Sequence, residues 1–293
     1  MSHSKGQCMK IGFIGAGKVG CSLGKFFAEN GVALSGYCSR SEKSAQEAAA
    51  FTGSAAYPSR MQLVSESDLI FLTVPDGSIG SVCSEIIAEG GACLRGKMLF
   101  HCSGALSSQE AFAGLSAVGA CGASVHPIFP VSDKFTVYRE LADAYFCIEG
   151  DEPAVQEAAR LLTQCGASFQ RIDPADKTKY HAGCVFASNL VCALMQESFS
   201  LLGECGFTQE GAREALAPLI RSNLEHVLSD GTVRALTGPV ERCDIGTVEK
   251  HLQVLGGDAA DMYRVLSAAL TDIAQEKHPQ TDYTGLRSLL HVQ

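Results

Sequence analysis

The sequence has no uninterrupted apolar run long enough to cross a bilayer, so no membrane partner is expected. Its first ten residues, Met1 to Lys10, lack the apolar core of a secretory signal, which makes a cytoplasmic location the expectation. It also lacks basic excess: 32 acidic residues against 23 Lys and Arg give a net charge of −9. Sequence-independent nucleic-acid binding needs a basic face to neutralise phosphates, so no nucleic-acid partner is expected. A local cluster of donors can still hold one small anion. None of the 13 cysteines is spaced C-x-x-C, and an odd number cannot all pair internally. Cys102, Cys147, Cys184 and Cys192 sit in apolar runs, where a free thiol behaves as a small hydrophobe. Reduced, buried thiols are expected, and no metal site. Internal repeats and low-complexity segments are missing too.

What is present is an ordinary globular balance, 46% hydrophobic and 19% charged over 293 residues, with room for two domains. The first half alternates short apolar runs with amphipathic stretches, the pattern of a parallel sheet covered by helices. Strands are predicted at Lys10–Ile14, Val32–Tyr37, Leu69–Val74, Met98–His101, Gly119–Val125, Ala144–Ile148 and Ser168–Ile172. Helices are predicted at Gly17–Asn30, Ser41–Phe51, Ile79–Glu89, Ser108–Leu115 and Pro153–Cys165. After Asp173-Pro174 the pattern turns helical: one long helix over Thr178–Glu204, a second capped by Thr208, and a third capped by Asp258. The expected architecture is a doubly wound α/β Rossmann domain over 1–172, followed by an all-α domain over 173–293.

The strongest local signal is Gly15-Ala16-Gly17-Lys18-Val19-Gly20, a G-x-G-x-x-G that follows a predicted strand and opens a predicted helix. Gly15 permits the tight turn, Gly17 lets backbone approach a pyrophosphate, and Gly20 lets helix and strand pack closely. The helix start offers unpaired N–H groups to phosphates. An NAD site usually carries Asp or Glu at the end of the second strand. Here that stretch reads Ser39-Arg40-Ser41, which can donate to and pair with a 2′-phosphate. The expected cofactor is therefore NADP(H).

Ligands of such sheets lie beyond the carboxyl ends of the strands. Thr73-Val74-Pro75-Asp76 ends one strand, and Val74, Pro75 and Asp76 are candidates for the cofactor's edge, although Asp76 could equally cap the next helix. His101-Cys102-Ser103-Gly104 ends another, where the Ser103 hydroxyl could hold a carboxylate or carbonyl or simply form a turn. His126, in Val125-His126-Pro127, reads as a structural histidine.

On these residues the chain resembles a family of Rossmann-like proteins whose C-terminal domain has no assigned function and is shaped like the helical domain of 6-phosphogluconate dehydrogenase. The resemblance also covers Tyr180-His181-Ala182, Ala187-Ser188-Asn189 and Ala235-Leu236-Thr237-Gly238-Pro239-Val240-Glu241-Arg242-Cys243-Asp244. The family pattern commonly has Gly where this chain has Cys243, which bears on any role for Arg242 and Asp244. More distantly the layout is similar to β-hydroxyacid dehydrogenases, ketopantoate reductase and pyrroline-5-carboxylate reductase. Several of those enzymes place a proton-moving Lys and an Asn on the first long helix of the second domain. On a continuous helix here, Ser188 would fall about 20° and Asn189 about 80° from His181, whereas Lys179 would lie about 160° away.

The resemblance implies an oxidoreductase that moves a hydride between NADP(H) and a small carbonyl, hydroxy-acid or imine substrate. His181 would exchange the proton, and Ser103 and Asn189 would hold the substrate. A non-catalytic NADP(H)-binding sensor is the alternative from another class, and reduction of NADP by a deazaflavin coenzyme ranks third. Long helices in second domains of this shape often build a homodimer, the expected assembly.

Overall fold

The computed structural model describes residues 9–290. Eight strands form one sheet: β1 (Ile11–Ile14), β2 (Leu34–Cys38), β3 (Ala55–Ala56), β4 (Leu69–Leu72), β5 (Met98–His101), β6 (Cys121–Ile128), β7 (Tyr145–Gly150) and β8 (Ser168–Arg171). Helices between them are α1 (Lys18–Glu29), α2 (Glu42–Thr52), α3 (Arg60–Ser65), α4 (Asp76–Gly90), α5 (Ser108–Ala111) and α6 (Glu152–Gln164). The order across the sheet is β3-β2-β1-β4-β5-β6-β7-β8, and every pairing is parallel except β6 with β7. The chain reverses direction of travel between β1 and β4, the switch point at which such sheets open a ligand crevice.

β1 and β4 are buried along their whole length, as their unbroken apolar runs require. An aromatic ladder crosses them: Phe13 stacks on Tyr37 and Phe71 at 5.1 and 5.4 Å, and Phe71 on Phe100 at 4.8 Å. Each predicted strand is present within a few residues. β3 and α3 were not predicted, because two and six residues carry too little periodicity to stand out.

The predicted continuous helix over Thr178–Glu204 is instead two helices, α7 (Lys177–Ala187) and α8 (Asn189–Glu204). Ser188 departs from helical geometry at φ −128 and ψ −79, and no Gly or Pro announces the break. The first compact unit runs through Ser188, past the boundary expected at 172/173. The reason lies in α7, whose Lys177 is buried and whose Tyr180 is hydrogen-bonded to His126 of the sheet. The segment Pro174–Glu204 has an 18-residue window of mean hydropathy 1.4, none of it buried.

The second unit begins at Asn189 with α8, followed by α9 (Gln209–Asp230), α10 (Thr232–Ala235), α11 (Ile245–Val254), α12 (Gly257–Lys277) and α13 (Thr284–Leu290). Thr208 caps α9 as expected, its hydroxyl accepting from the Gly211 amide at 3.0 Å. The third predicted helix starts one residue before Asp258, with Gly256 as its cap. Val240, Val248, Ala274, Tyr283, Leu286 and Leu290 form this unit's core. The described cysteines are all free thiols, Cys147 buried as expected and Cys102 and Cys184 half-buried, but Cys192 is exposed. The apolar neighbours of Cys192 lie on an α8 with no buried residue.

Candidate functional site

β1 delivers the chain to Gly15, whose φ of +113 favours glycine and whose N–H donates to the Cys38 carbonyl at 2.8 Å. A Cβ at Gly15 would lie 2.5 Å from the Thr73 carbonyl oxygen. At Gly20 it would lie 2.4 Å from Thr73 Oγ1 and 2.6 Å from the Gly15 oxygen. The Thr73 hydroxyl donates to that same Gly15 oxygen at 2.9 Å, so both glycines serve the packing of α1 against β4. Gly17 differs. A Cβ there would meet nothing within 4 Å, and no side chain caps the start of α1. Its first-turn amides and partial positive charge are open to an anion. The cradle therefore fits a dinucleotide pyrophosphate.

A cavity of about 920 Å³ extends from Gly15, Ala16 and Gly17 to Ser39, Arg40 and Ser41, with Val74 and Pro75 on its wall. Ser41 caps α2, its oxygen accepting from the Ser44 amide at 3.2 Å, which leaves its proton to donate. Arg60 also lines the cavity, ion-paired with Glu85 at 2.5 Å. Sequence reading missed it because α3 was not predicted. Lys18, Val19 and Gly20 form the first turn of α1 outside that lining.

Asp76 and Ser103 hold each other. Asp76 is outside the cavity wall: its carboxylate accepts from Ser103 Oγ at 2.6 Å. Ser103 is only 4% exposed, and its oxygen also accepts from the Leu106 amide at 3.0 Å. With its one proton committed to Asp76, Ser103 ties the turn after β4 to the loop after β5. Its neighbour His101 is fully buried, Nδ1 accepting from the Ser103 amide at 3.2 Å and Nε2 without a partner among the described residues. Burial, reinforced by the charge of Lys177 and by His126, lowers the His101 pKa to about 3. The ring is neutral at pH 7.

A second constellation gathers at the ends of β5 and β6. Gly104 is its floor, since a Cβ there would lie 2.4 Å from His181 Cδ2 and 2.9 Å from His126 Nε2. The two imidazoles meet edge to face, centroids 6.1 Å apart. His126 Nδ1 shares a 2.6 Å hydrogen bond with the Tyr180 hydroxyl. Burial, then the charge of Lys177 and the nearness of His181, lowers the His126 pKa to about 4. Burial raises that of Tyr180, which keeps its proton. Beneath them Lys177 is 1% exposed, its ammonium donating to Ser124 Oγ at 2.7 Å and lying 3.9 Å from Glu149. Burial pulls the Lys177 pKa down, partly offset by Glu149. Sequence reading weighed Lys179 and passed over Lys177, although four residues before His181 place it about 40° away on one helical face. His181 belongs to the first unit and Asn189 to the second, beyond the break at Ser188, so the face inferred from a continuous helix does not hold.

A Rossmann-like domain model matches residues 2–127, and a domain of unknown function (DUF2520) matches residues 144–270. The chain is thus a Rossmann-like protein with a DUF2520 helical C-terminal domain. Among solved structures it is similar to a Thermotoga maritima protein at 24% identity and TM-score 0.73, covering 91% of this chain and 99% of that one. It is similar to the NADP-bound pyrroline carboxylate reductase of Plasmodium falciparum at 16% identity and TM-score 0.58, covering 92% and 96%. An imine reductase from Pseudomonas sp. aligns at 16% identity and TM-score 0.62, covering 92% and 98%. No curated protein matches the sequence. At these identities the likeness is one of fold.

Proposed function

We propose that this chain is an NADP(H)-dependent oxidoreductase acting on a small carbonyl, hydroxy-acid or imine substrate. The observation that carries the reading is the open, uncapped helix start at Gly17, in one cavity with Ser39 and Arg40 and with no carboxylate at the end of β2. The first-turn amides of α1 would hold the pyrophosphate. Arg40, Ser39 and Ser41 would hold the 2′-phosphate, with Arg60 as a second cation. When bound, the nicotinamide supplies the hydride. His181 is assigned the exchangeable proton, which remains part of the proposal.

The test compares NADPH and NADH by calorimetry and thermal shift. NADPH should bind more tightly, and at about 100 times its dissociation constant should add about 2.7 kcal/mol of stability. Arg40→Ala should cost NADPH about tenfold to a hundredfold and leave NADH unchanged, the worth of hydrogen bonds to a charged group. Equal affinities in the wild type would sink the cofactor choice. His181→Ala should lower turnover with NADPH affinity intact; equal loss of both would remove its assigned role.

We further propose a second copy of this chain as the cover for the exposed apolar residues of Pro174–Glu204, among them Phe186 at 68% and Leu190 at 41% exposed. Two features favour a protein partner over lipid: the helix is broken at Ser188, and α7 is tied to the sheet through Lys177 and Tyr180. Light scattering should return twice the single-chain mass; a monomer overturns this.

A further inference from the structure

In the constellation around Gly104, His126 Nε2 has no hydrogen-bond partner among the described residues, as is also true of the His181 ring nitrogens, but only the His126 ring is held through its other nitrogen. His126 lies on β6 beyond Ser124, the residue registered with the last residue of β5, so it extends past the sheet's neighbouring edge. From β1, which ends in the glycine cradle, β6 is three strand spacings away, roughly 14 Å. The strand ends between them, at Thr73 and Ser103, are tied together through the Ser103–Asp76 hydrogen bond. His126 therefore stands on the same carboxyl edge as the cradle.

Its tautomer is coupled to its partner. The contact between Nδ1 and the Tyr180 hydroxyl is 2.6 Å, and either atom can be its donor. Tyr180 retains its proton, as its raised pKa requires. If the phenol donates to Nδ1, the proton of the neutral ring resides on Nε2. The charged and titratable groups around this imidazole and its Tyr180 partner are Lys177, His181, His101, Cys147 across the strand pair, and Cys184. None is an anion that would favour imidazolium. A neutral imidazole with a fixed Nε2–H is a hydrogen-bond donor that loses no proton in ordinary turnover, suited to an oxygen on which negative charge rests or develops.

We propose that His126 Nε2–H is a substrate-binding donor for a carboxylate or carbonyl oxygen, that Tyr180 is the positioning residue locking its tautomer, and that Gly104 is required because a Cβ there would lie 2.9 Å from Nε2 and crowd it. This rests on the oxidoreductase reading and narrows its substrate to one with an sp² oxygen acceptor at that position. It gives His126 a role distinct from His181, whose assignment is to exchange a proton.

The test is long-range ¹⁵N–¹H spectroscopy on ¹⁵N-histidine-labelled protein, with His126 assigned by loss of its signals in His126→Phe. In the wild type at pH 7, the His126 resonances should report protonated Nε2 and bare Nδ1. In Tyr180→Phe the preference should collapse toward a mixture, while the His251 signals stay in place. Pyruvate, carrying both oxygen types, should shift His126 Nε2; acetate and acetone separate the carboxylate from the carbonyl source. A proton on Nδ1 in the wild type overturns the proposal, and so does an Nε2 signal unmoved by all three probes. The tautomer is measured without cofactor. If NADPH fails to bind, the oxidoreductase reading falls; if NADPH binds and the tautomer is wrong, only this inference falls.

Discussion

The ammonium of Lys177 donates to Ser124 Oγ at 2.7 Å and lies 3.9 Å from Glu149 Oε1, with the lysine 1% and the glutamate 0% exposed. Breaking one side of a buried pair leaves an uncompensated charge, at about 3–5 kcal/mol. Lys177→Met should fall toward the low end, because Glu149 retains the Ser108 amide at 3.0 Å and the Ser108 hydroxyl at 2.6 Å. Adding Glu149→Gln should recover at least half of the loss, since the second change removes the stranded charge. Urea unfolding of both variants measures the coupling; strictly additive losses would show that the two residues do not act as a pair.

How much of this was legible in sequence depends on what kind of constraint each residue answers. Gly15 and Gly20 answer a backbone constraint, and a spacing of glycines records it directly. Six of the strands answer a burial constraint, recorded as apolar runs, whereas β8, Ser168–Arg171, is largely exposed. Lys177 answers neither. Its burial comes from Ser124 and Glu149, 53 and 28 residues away in sequence, and a lysine beside Asp176 and Lys179 looks like a solvated helix start. The break at Ser188 was equally hidden, because an interruption imposed by surrounding structure needs no Gly or Pro. Ser103 was ambiguous for a different reason: a serine beside a glycine at a strand end suits a ligand and a turn equally well, and its partner Asp76 lies 27 residues away.

The difference between Gly17 and Gly20 gives a paired prediction. Gly17→Ala should cost at most about 1 kcal/mol, the usual difference between Gly and Ala at an N-cap, because no protein atom lies within 4 Å of the new Cβ. Its effect should fall on NADPH, weakening binding at least tenfold by filling the cradle. Gly20→Ala should instead destabilise the fold by about 1–3 kcal/mol, its Cβ meeting Thr73 and the Gly15 carbonyl. Denaturation and calorimetry on the two variants should therefore separate fold from ligand. A Gly17→Ala protein with unchanged NADPH affinity would place the pyrophosphate elsewhere.

His126 and His101 both have folded pKa values, about 4 and about 3, below the ordinary histidine value. Between folded and unfolded values the unfolded chain binds more protons, so the stability they contribute is present above about pH 6.5 and is lost as pH falls. Each adds up to about 1.4 kcal/mol per pH unit to that slope. His126→Phe should flatten the fall in unfolding free energy between pH 6 and pH 5 by about that amount relative to wild type. Parallel slopes would mean that His126 titrates in the folded protein as it does in the unfolded chain.

Cys243 has a φ of +53, and no other non-glycine residue among those described is positive. The sequence pattern that commonly places Gly here is thus met with glycine's geometry and without glycine. Asp244 uses the resulting turn to cap α11, accepting from the Thr247 amide at 3.0 Å and the Thr247 hydroxyl at 2.7 Å, which accounts for its lowered pKa. Glu241 is fixed alongside by His278 at 2.7 Å. A left-handed residue with a Cβ costs about 1–2 kcal/mol, and the thiol recovers a little through its contact with the Asp282 carbonyl at 3.4 Å. Cys243→Ala keeps the strain and loses the thiol contact, whereas Cys243→Gly loses the contact and releases the strain, less the extra freedom glycine gains in the unfolded chain. The glycine variant should therefore be more stable than the alanine variant by about 1 kcal/mol in urea unfolding. An alanine variant equal to or above glycine would mean that the loop changes its backbone when the thiol is removed, and the cap on α11 should then loosen with it.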